Sequence, residues 1–186
     1  MSRISYVDRS TAPPETAELF ARMESNGASV LNLWQMAAHS PATLPHLVRL
    51  GNSILSKTNL NPVLRELAIL RQAEILGCAY EITAHSMLGK DVGITDEQIN
   101  ALKSWRASKI FNPAERAVLR FTDELIKRGK VSGHTFSATE KFLDPRGIME
   151  LTVTIGFYEL LSHLLLTFEV DAESGAFTSA SQIMGR

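Results

Sequence analysis

NPVLRELAILRQAEILGCAYEITAHSMLGKD, residues 61–91, is the stretch that decides the fold. It is dense in alanine, leucine and isoleucine at helical spacing, opens on an asparagine–proline helix start, and is interrupted once, by Gly77. Four chemistry-bearing residues break the apolar pattern: Glu66, Cys78, Glu81 and His85. On one straight helix Glu66 and His85 would stand about 28 Å apart, too far to cooperate. If the chain reverses at Gly77, Glu66 sits about 16 Å and His85 about 12 Å from the turn, and the two side chains meet across a helical hairpin. Cys78, Glu81 and His85, three and four residues apart, then share one helix face. Burial in such a hairpin pushes pKa values away from their solution values, as acid–base chemistry requires.

Each residue also has an ordinary reading. Cys78 in the first turn of the second helix lies among free backbone N–H groups that favour thiolate, or it is a small buried hydrophobe. His85 is a proton carrier or a satisfied core histidine. Glu66 is a catalytic carboxylate or a partner for Arg65 or Arg71. Tyr80 packs or offers its hydroxyl to a ligand. Glu66, Glu81 and His85 are chemically allowed as a metal set, but Glu-x3-His is a common chance spacing, so we expect no metal and no cofactor.

Outward from this hairpin, capping residues followed by proline mark helix starts at Ser40-Pro41, Asn61-Pro62, Asn112-Pro113 and Asp144-Pro145. Pro13-Pro14 opens the first helix, and Thr95 with Gln98 forms a capping box. Stops fall at Asn26-Gly27, Gly77, Gly89 to Gly93, and Gly129. No stretch alternates with period two, so the chain reads as all-α, with about seven or eight helices in a single domain spanning residues 1–186. Asn61-Pro62 through Arg65 is echoed by Asn112-Pro113 through Arg116, either a duplicated hairpin or two ordinary capped helices. In the last helix Phe157, Leu161, Leu164 and Phe168 recur as one stripe, facing the core or a second subunit.

Charge narrows the function classes. Nineteen basic and twenty acidic residues nearly cancel without forming runs, which leaves no electrostatic footprint for nucleic acid or an anionic membrane. A small-molecule ligand fits better. The single cysteine rules out an intramolecular disulfide and a cysteine-based zinc cluster, and a cytoplasmic location is the expectation. The first residues lack the apolar run of a secretion signal, and the apolar segment from Leu151 to Val170 is broken by Glu159, His163 and Glu169, so it reads as a buried helix rather than a membrane span.

Arg65-Glu66-Leu67-Ala68-Ile69-Leu70, then Gly77-Cys78-Ala79-Tyr80-Glu81, then His85, then Gly93-Ile94-Thr95 leading into Asp96-Glu97-Gln98-Ile99, resembles the carboxymuconolactone decarboxylase family, which includes the alkylhydroperoxidase D group. Looser likeness extends to Asn32 through Pro41, Phe111 through Leu125, and Glu150 through Tyr158, with residues 40–125 carrying the core motif. The resemblance implies a helical bundle built from helical hairpins, homo-oligomers (dimers, trimers or hexamers), and a catalytic site shared by Glu66, Cys78 and His85. In the alkylhydroperoxidase branch the pattern is Glu-x11-Cys-x2-Cys-x3-His, and two thiols cycle through a disulfide. Here Glu81 stands in the second cysteine slot with Tyr80 before it, so that half of the chemistry is missing within one chain.

Three functions follow. The first is a cofactor-independent enzyme that decarboxylates or isomerises a small oxo- or lactone-carboxylic acid, with Glu66 and His85 moving protons, Tyr80 and Glu81 binding substrate, and Cys78 lining the site. The second is a monothiol alkylhydroperoxidase in which Cys78 attacks the peroxide. The third is a catalytically silent oligomer that binds a ligand.

Overall fold

A computed structural model describes residues 1–173, which contain nine α-helices, a 3-10 turn at Leu102–Ser104 and no strand. In chain order the helices are α1 (Pro14–Ser25), α2 (Asn32–Ala37), α3 (Leu44–Lys57), α4 (Pro62–Leu76), α5 (Ala79–Asp91), α6 (Asp96–Ala101), α7 (Pro113–Arg128), α8 (Gly133–Thr139) and α9 (Pro145–Thr167). The chain divides into two compact units, Thr58–Ser162 and Met1–Lys57 with the segment from His163.

The larger unit is organised around α4. Ten consecutive residues, Leu64 to Ala73, are buried, so this helix has no solvated face over most of its length. Leu64 and Ala68 pack with Val118, Phe121, Ile148, Leu151 and Ile155. Leu67 and Leu70 pack on another side with Ile94, Leu102, Trp105, Phe111 and Leu119. In the smaller unit Phe20, Ala37, Ala38, Leu44 and Val48 form a separate cluster.

The expected reversal is present. Asn61 caps α4 by accepting from the N–H groups of Val63 (2.9 Å) and Leu64 (3.3 Å), with Pro62 in the first turn. Gly77 ends the helix at φ 71°, ψ 29°, and the N–H of Cys78 returns to the carbonyl of Ala73. A Cβ at Gly77 would meet nothing within 4 Å, so the glycine is required by backbone conformation alone. Gly77→Ala is therefore expected to lower stability by about 1 kcal/mol, read as a shifted urea midpoint at constant m-value. Gly89 is different, because α5 runs through it to Asp91 and the turn comes at Val92 and Gly93. A Cβ on Gly89 would lie 3.2 Å from Ile94 Cδ1 and 3.5 Å from Leu70 Cδ1, so this glycine lets α5 pack closely and does not end it.

The start read at Ser40-Pro41 moved. Pro41 sits in a turn in which Thr43 and Leu44 donate to the carbonyl of Ser40, and α3 begins only at Leu44. The short helices α2 and α8 carry no proline start; Ser132 caps α8 by accepting from Thr135 N–H. The echo between α4 and α7 extends to both ends, since each has an asparagine cap, a first-turn proline and a left-handed glycine stop. Of these two helices α7 alone closes a capping box, through Glu115; α4 has Leu64 in that slot.

A second polar cluster ties the larger unit together. Asp123 on α7 accepts from Arg71 Nε at 2.7 Å and from Arg106 Nη2 at 2.8 Å, with Trp105 Nε1 at 3.3 Å. Arg71 also donates to the Leu102 carbonyl (2.9 Å), and the guanidinium groups of Arg106 and Arg116 lie over the Trp105 ring. The sequence reading offered Arg71 as a partner for Glu66; it belongs to Asp123 instead.

Within the larger unit, α9 buries Leu151, Thr154, Ile155, Phe157, Tyr158, Leu161 and Ser162 and exposes Met149, Val153 and Leu160. Among the described residues it is the one helix long and apolar enough to cross a membrane by length and composition, and half of its most apolar window is buried.

Candidate functional site

α4 and α5 bring Glu66, Glu81 and His85 into contact. His85 Nδ1 lies 2.7 Å from Glu66 Oε2, and His85 Nε2 lies 3.3 Å from Glu81 Oε2. The imidazole is thus held between two carboxylates, one from each helix of the hairpin. Glu66 is fully enclosed and takes a further bond at Oε1 from Arg65 Nε, 2.9 Å away. Adjacent residues on a helix do not face each other. Arg65 is nevertheless buried and reaches back to its neighbour, which pairs a charge that is only 7% exposed.

The electrostatics separate the three groups. Burial pushes Glu66 up, but His85 and then Arg65 outweigh it, so the carboxyl ends below its ordinary range and remains an acceptor. His85 Nδ1–H consequently donates to Glu66. Burial pushes His85 down, but Glu66 and then Glu81 reverse this and its pKa is raised. Glu81 goes the other way: burial lifts it from 4.5 to about 7, His85 opposes, and the negative charge of Glu66 adds to the rise. Two carboxyls on one imidazole therefore carry different protonation, one ionised and one poised near neutrality.

Cys78 is buried at the N-cap of α5 beside this cluster. Of the two readings of Cys78, the buried thiol is favoured over the thiolate, because burial raises the thiol more than the N–H groups of Glu81 and Tyr80 and the Ser162 hydroxyl lower it, and the Glu81 charge raises it further. Tyr80 is buried in the first turn of α5.

Two neighbours were missed from sequence, Tyr158 and Ser162, both on α9 in the larger unit. The Tyr158 ring stands perpendicular to the imidazole of His85, with centroids 4.6 Å apart. Ser162 exchanges hydrogen bonds with the buried amide of Gln72 at 3.1 and 3.5 Å. The signal was present: Leu151, Ile155, Tyr158 and Ser162 fall at i, i+4, i+7 and i+11, one helix face, whereas the stripe read from sequence began at Phe157. Among the described residues no set of three His, Cys, Asp or Glu side chains converges to hold a metal ion, since Glu66 and Glu81 approach opposite ring nitrogens.

Residues 41–124, which contain the whole hairpin, match the carboxymuconolactone decarboxylase family. The fold agrees: an uncharacterized peroxidase-related protein from Ralstonia eutropha, described as an alkylhydroperoxidase AhpD core, superposes with a TM-score of 0.80 over 100% of this chain and 96% of its own, at 16% identity. The segment 41–124 is similar to the carboxymuconolactone decarboxylase family, and the fold is that of AhpD-like proteins. Among proteins of similar fold, a cysteine-to-alanine form of the debrominase Bmp8 with bound 2,3,4-tribromopyrrole has a TM-score of 0.76 over 94% of this chain and 95% of its own, at 17% identity. Uncharacterized protein YdfG of Bacillus subtilis is 25% identical over 101 residues, 53% of this chain and 69% of that protein. At these identities the solved structures share the fold.

Proposed function

We propose that this carboxymuconolactone decarboxylase-like chain is a cofactor-independent acid–base enzyme that decarboxylates or isomerises a small oxo- or lactone-carboxylic acid. The observation that carries this reading is the imidazole of His85 clasped between an ionised Glu66 and a Glu81 poised at about 7. Glu66 holds the ring and stabilises the imidazolium, as an orienting carboxylate does. In the decarboxylation the bond from the α-carbon to the carboxylate breaks, CO2 leaves, and the electron pair is delocalised onto the neighbouring carbonyl oxygen. A proton from the His85–Glu81 pair then reaches the carbon, and solvent restores it. Tyr80 and Glu81 orient the substrate and Cys78 lines the site. The exposed apolar side chains of Met149, Val153 and Leu160 support a homo-oligomeric assembly.

Proton exchange into a panel of oxo- and lactone-carboxylic acids in D2O, followed by NMR together with CO2 release, tests the reaction. The rate is expected to fall as pH rises through about 7, where the proton on Glu81 is lost. Glu81→Gln removes that limb and slows the reaction by about 10² or more. The stability sign is fixed by the same shift: folded Glu81 holds its proton where the unfolded residue has released it, so its contribution favours folding below 4.5 and is lost as pH rises through about 7. An unchanged pH profile in Glu81→Gln removes Glu81 from the proton path.

The donors around Cys78, two backbone N–H groups and the Ser162 hydroxyl, favour a second reading as a monothiol hydroperoxidase. There the sulfur attacks the peroxide, the O–O bond breaks, alcohol leaves, and Cys78 becomes a sulfenic acid that an external thiol must reduce. The raised thiol pKa argues against it. Mass spectrometry after one equivalent of an organic hydroperoxide is expected to show Cys78 unmodified over minutes; rapid oxidation would install the peroxidase reading in place of the first.

A further inference from the structure

Tyr158 is 4% exposed, its ring stands against His85, and its hydroxyl has no hydrogen bond among the described residues. Every fully buried side-chain nitrogen or oxygen there has a partner, so the Tyr158 oxygen must keep a sliver of surface of its own. Burial, then the negative charges of Glu66 and Glu81, keep the phenol protonated well above its ordinary range. The group is therefore a neutral O–H donor at working pH, its ring buried against the proton carrier, and without an acceptor among the described residues. A donor left so is paired by water through its sliver of surface or by a ligand that displaces that water. Arg65 is the group whose charge favours an anion at that spot, against the two carboxylates.

We propose that Tyr158 is a further catalytic residue, donating its O–H to the oxygen of the enolate that forms when a small carbonyl acid loses CO2 or a carbon-bound proton. This rests on the acid–base reading of the His85 cluster. It adds the element that reading lacked, a donor aimed at the oxygen where charge develops, so that proton transfer and charge stabilisation come from different helices. It also narrows the substrate class to compounds with a carbonyl conjugated to the reacting carbon; a hydroperoxide presents no such oxygen.

A stable oxyanion with no reacting bond separates this proposal from turnover. Binding of 2,4-dinitrophenolate, followed by its own absorbance at about pH 6 where Glu81 is neutral, is expected to be saturable in the wild type and about tenfold or more weaker in Tyr158→Phe. Phenylalanine keeps the ring against His85, so the thermal midpoint and the His85 titration are expected to stay in place. Equal affinity in the two proteins, or no saturable binding to the wild type, overturns the proposal. Should the variant fail to fold, 3-fluorotyrosine in the wild type reports directly: the chain has three tyrosines, Tyr6, Tyr80 and Tyr158, and the Tyr158 resonance is expected to shift on adding the phenolate. A stationary resonance overturns the proposal as well. Wild type that binds the phenolate through Tyr158 but exchanges no carbon-bound proton keeps the donor and removes the acid–base reading. Undiminished turnover and phenolate affinity in Tyr158→Phe remove the donor alone.

Discussion

Replacing Asp123 by alanine is expected to lower the unfolding free energy by about 3–5 kcal/mol, the usual cost of stranding a buried charge. The stranded charge is Arg71, whose side chain is 9% exposed and which would be left with the Leu102 carbonyl as its remaining hydrogen-bond acceptor. Arg106 and Lys127 also face Asp123, but their side chains are more than half exposed and can turn to water, so they add little to the loss. Urea unfolding of Asp123→Ala and of the double variant Asp123→Ala with Arg71→Met separates the terms. The double variant is expected to recover a large part of the loss, because it removes the charge that lost its partner. A loss below about 1 kcal/mol in Asp123→Ala would show that water reaches Arg71 in the folded protein.

Glu66→Gln is expected to cost about 10²–10⁴ in kcat with a smaller change in KM, because the glutamine neither fixes the ring as an ionised acceptor nor stabilises the imidazolium that forms during proton transfer. The His85 pKa is expected to fall at the same time, since Glu66 is the first among the groups that raise it, and NMR of the imidazole reads that shift independently of turnover. The sign of the stability change is also set. Glu66 is held below its ordinary range, so its contribution is present at neutral pH and lost on acidification through the folded pKa. The variant should therefore differ most from the parent near neutrality. A kcat within about threefold of wild type would deny Glu66 its place in the mechanism.

The hairpin and the meeting of Glu66 with His85 were legible in the sequence because the signals were local and strong. Asn61, Pro62 and Gly77 dictate where α4 starts and stops through backbone hydrogen bonds and φ angles alone, and the periodic spacing from there puts Glu66 opposite His85. Local rules failed where the cause was tertiary. The stop between Gly89 and Gly93 falls where it was read, after Asp91, but the contact of Gly89 with Ile94 and Leu70 that its missing Cβ allows is not a local signal. Cys78 sits where a helix end favours thiolate, but enclosure outweighs the helix end. Arg71 could have paired with Glu66, and only the packing of α7 against α4 gives it Asp123. Tyr158 lies 73 residues beyond His85, and no spacing rule spans that separation.

Cys78 is the sole thiol in the chain and is enclosed at the N-cap of α5. That makes it an intrinsic clock. An alkylating reagent can reach the sulfur only when the surrounding helices part, so its trapping rate counts those excursions without any introduced label. At low reagent the rate reports how often the parted state is populated, and at high reagent it levels off at the frequency of parting itself. Ligands that seat beside His85 should slow this clock in proportion to their occupancy, which turns a single residue into an assay for whatever the protein binds.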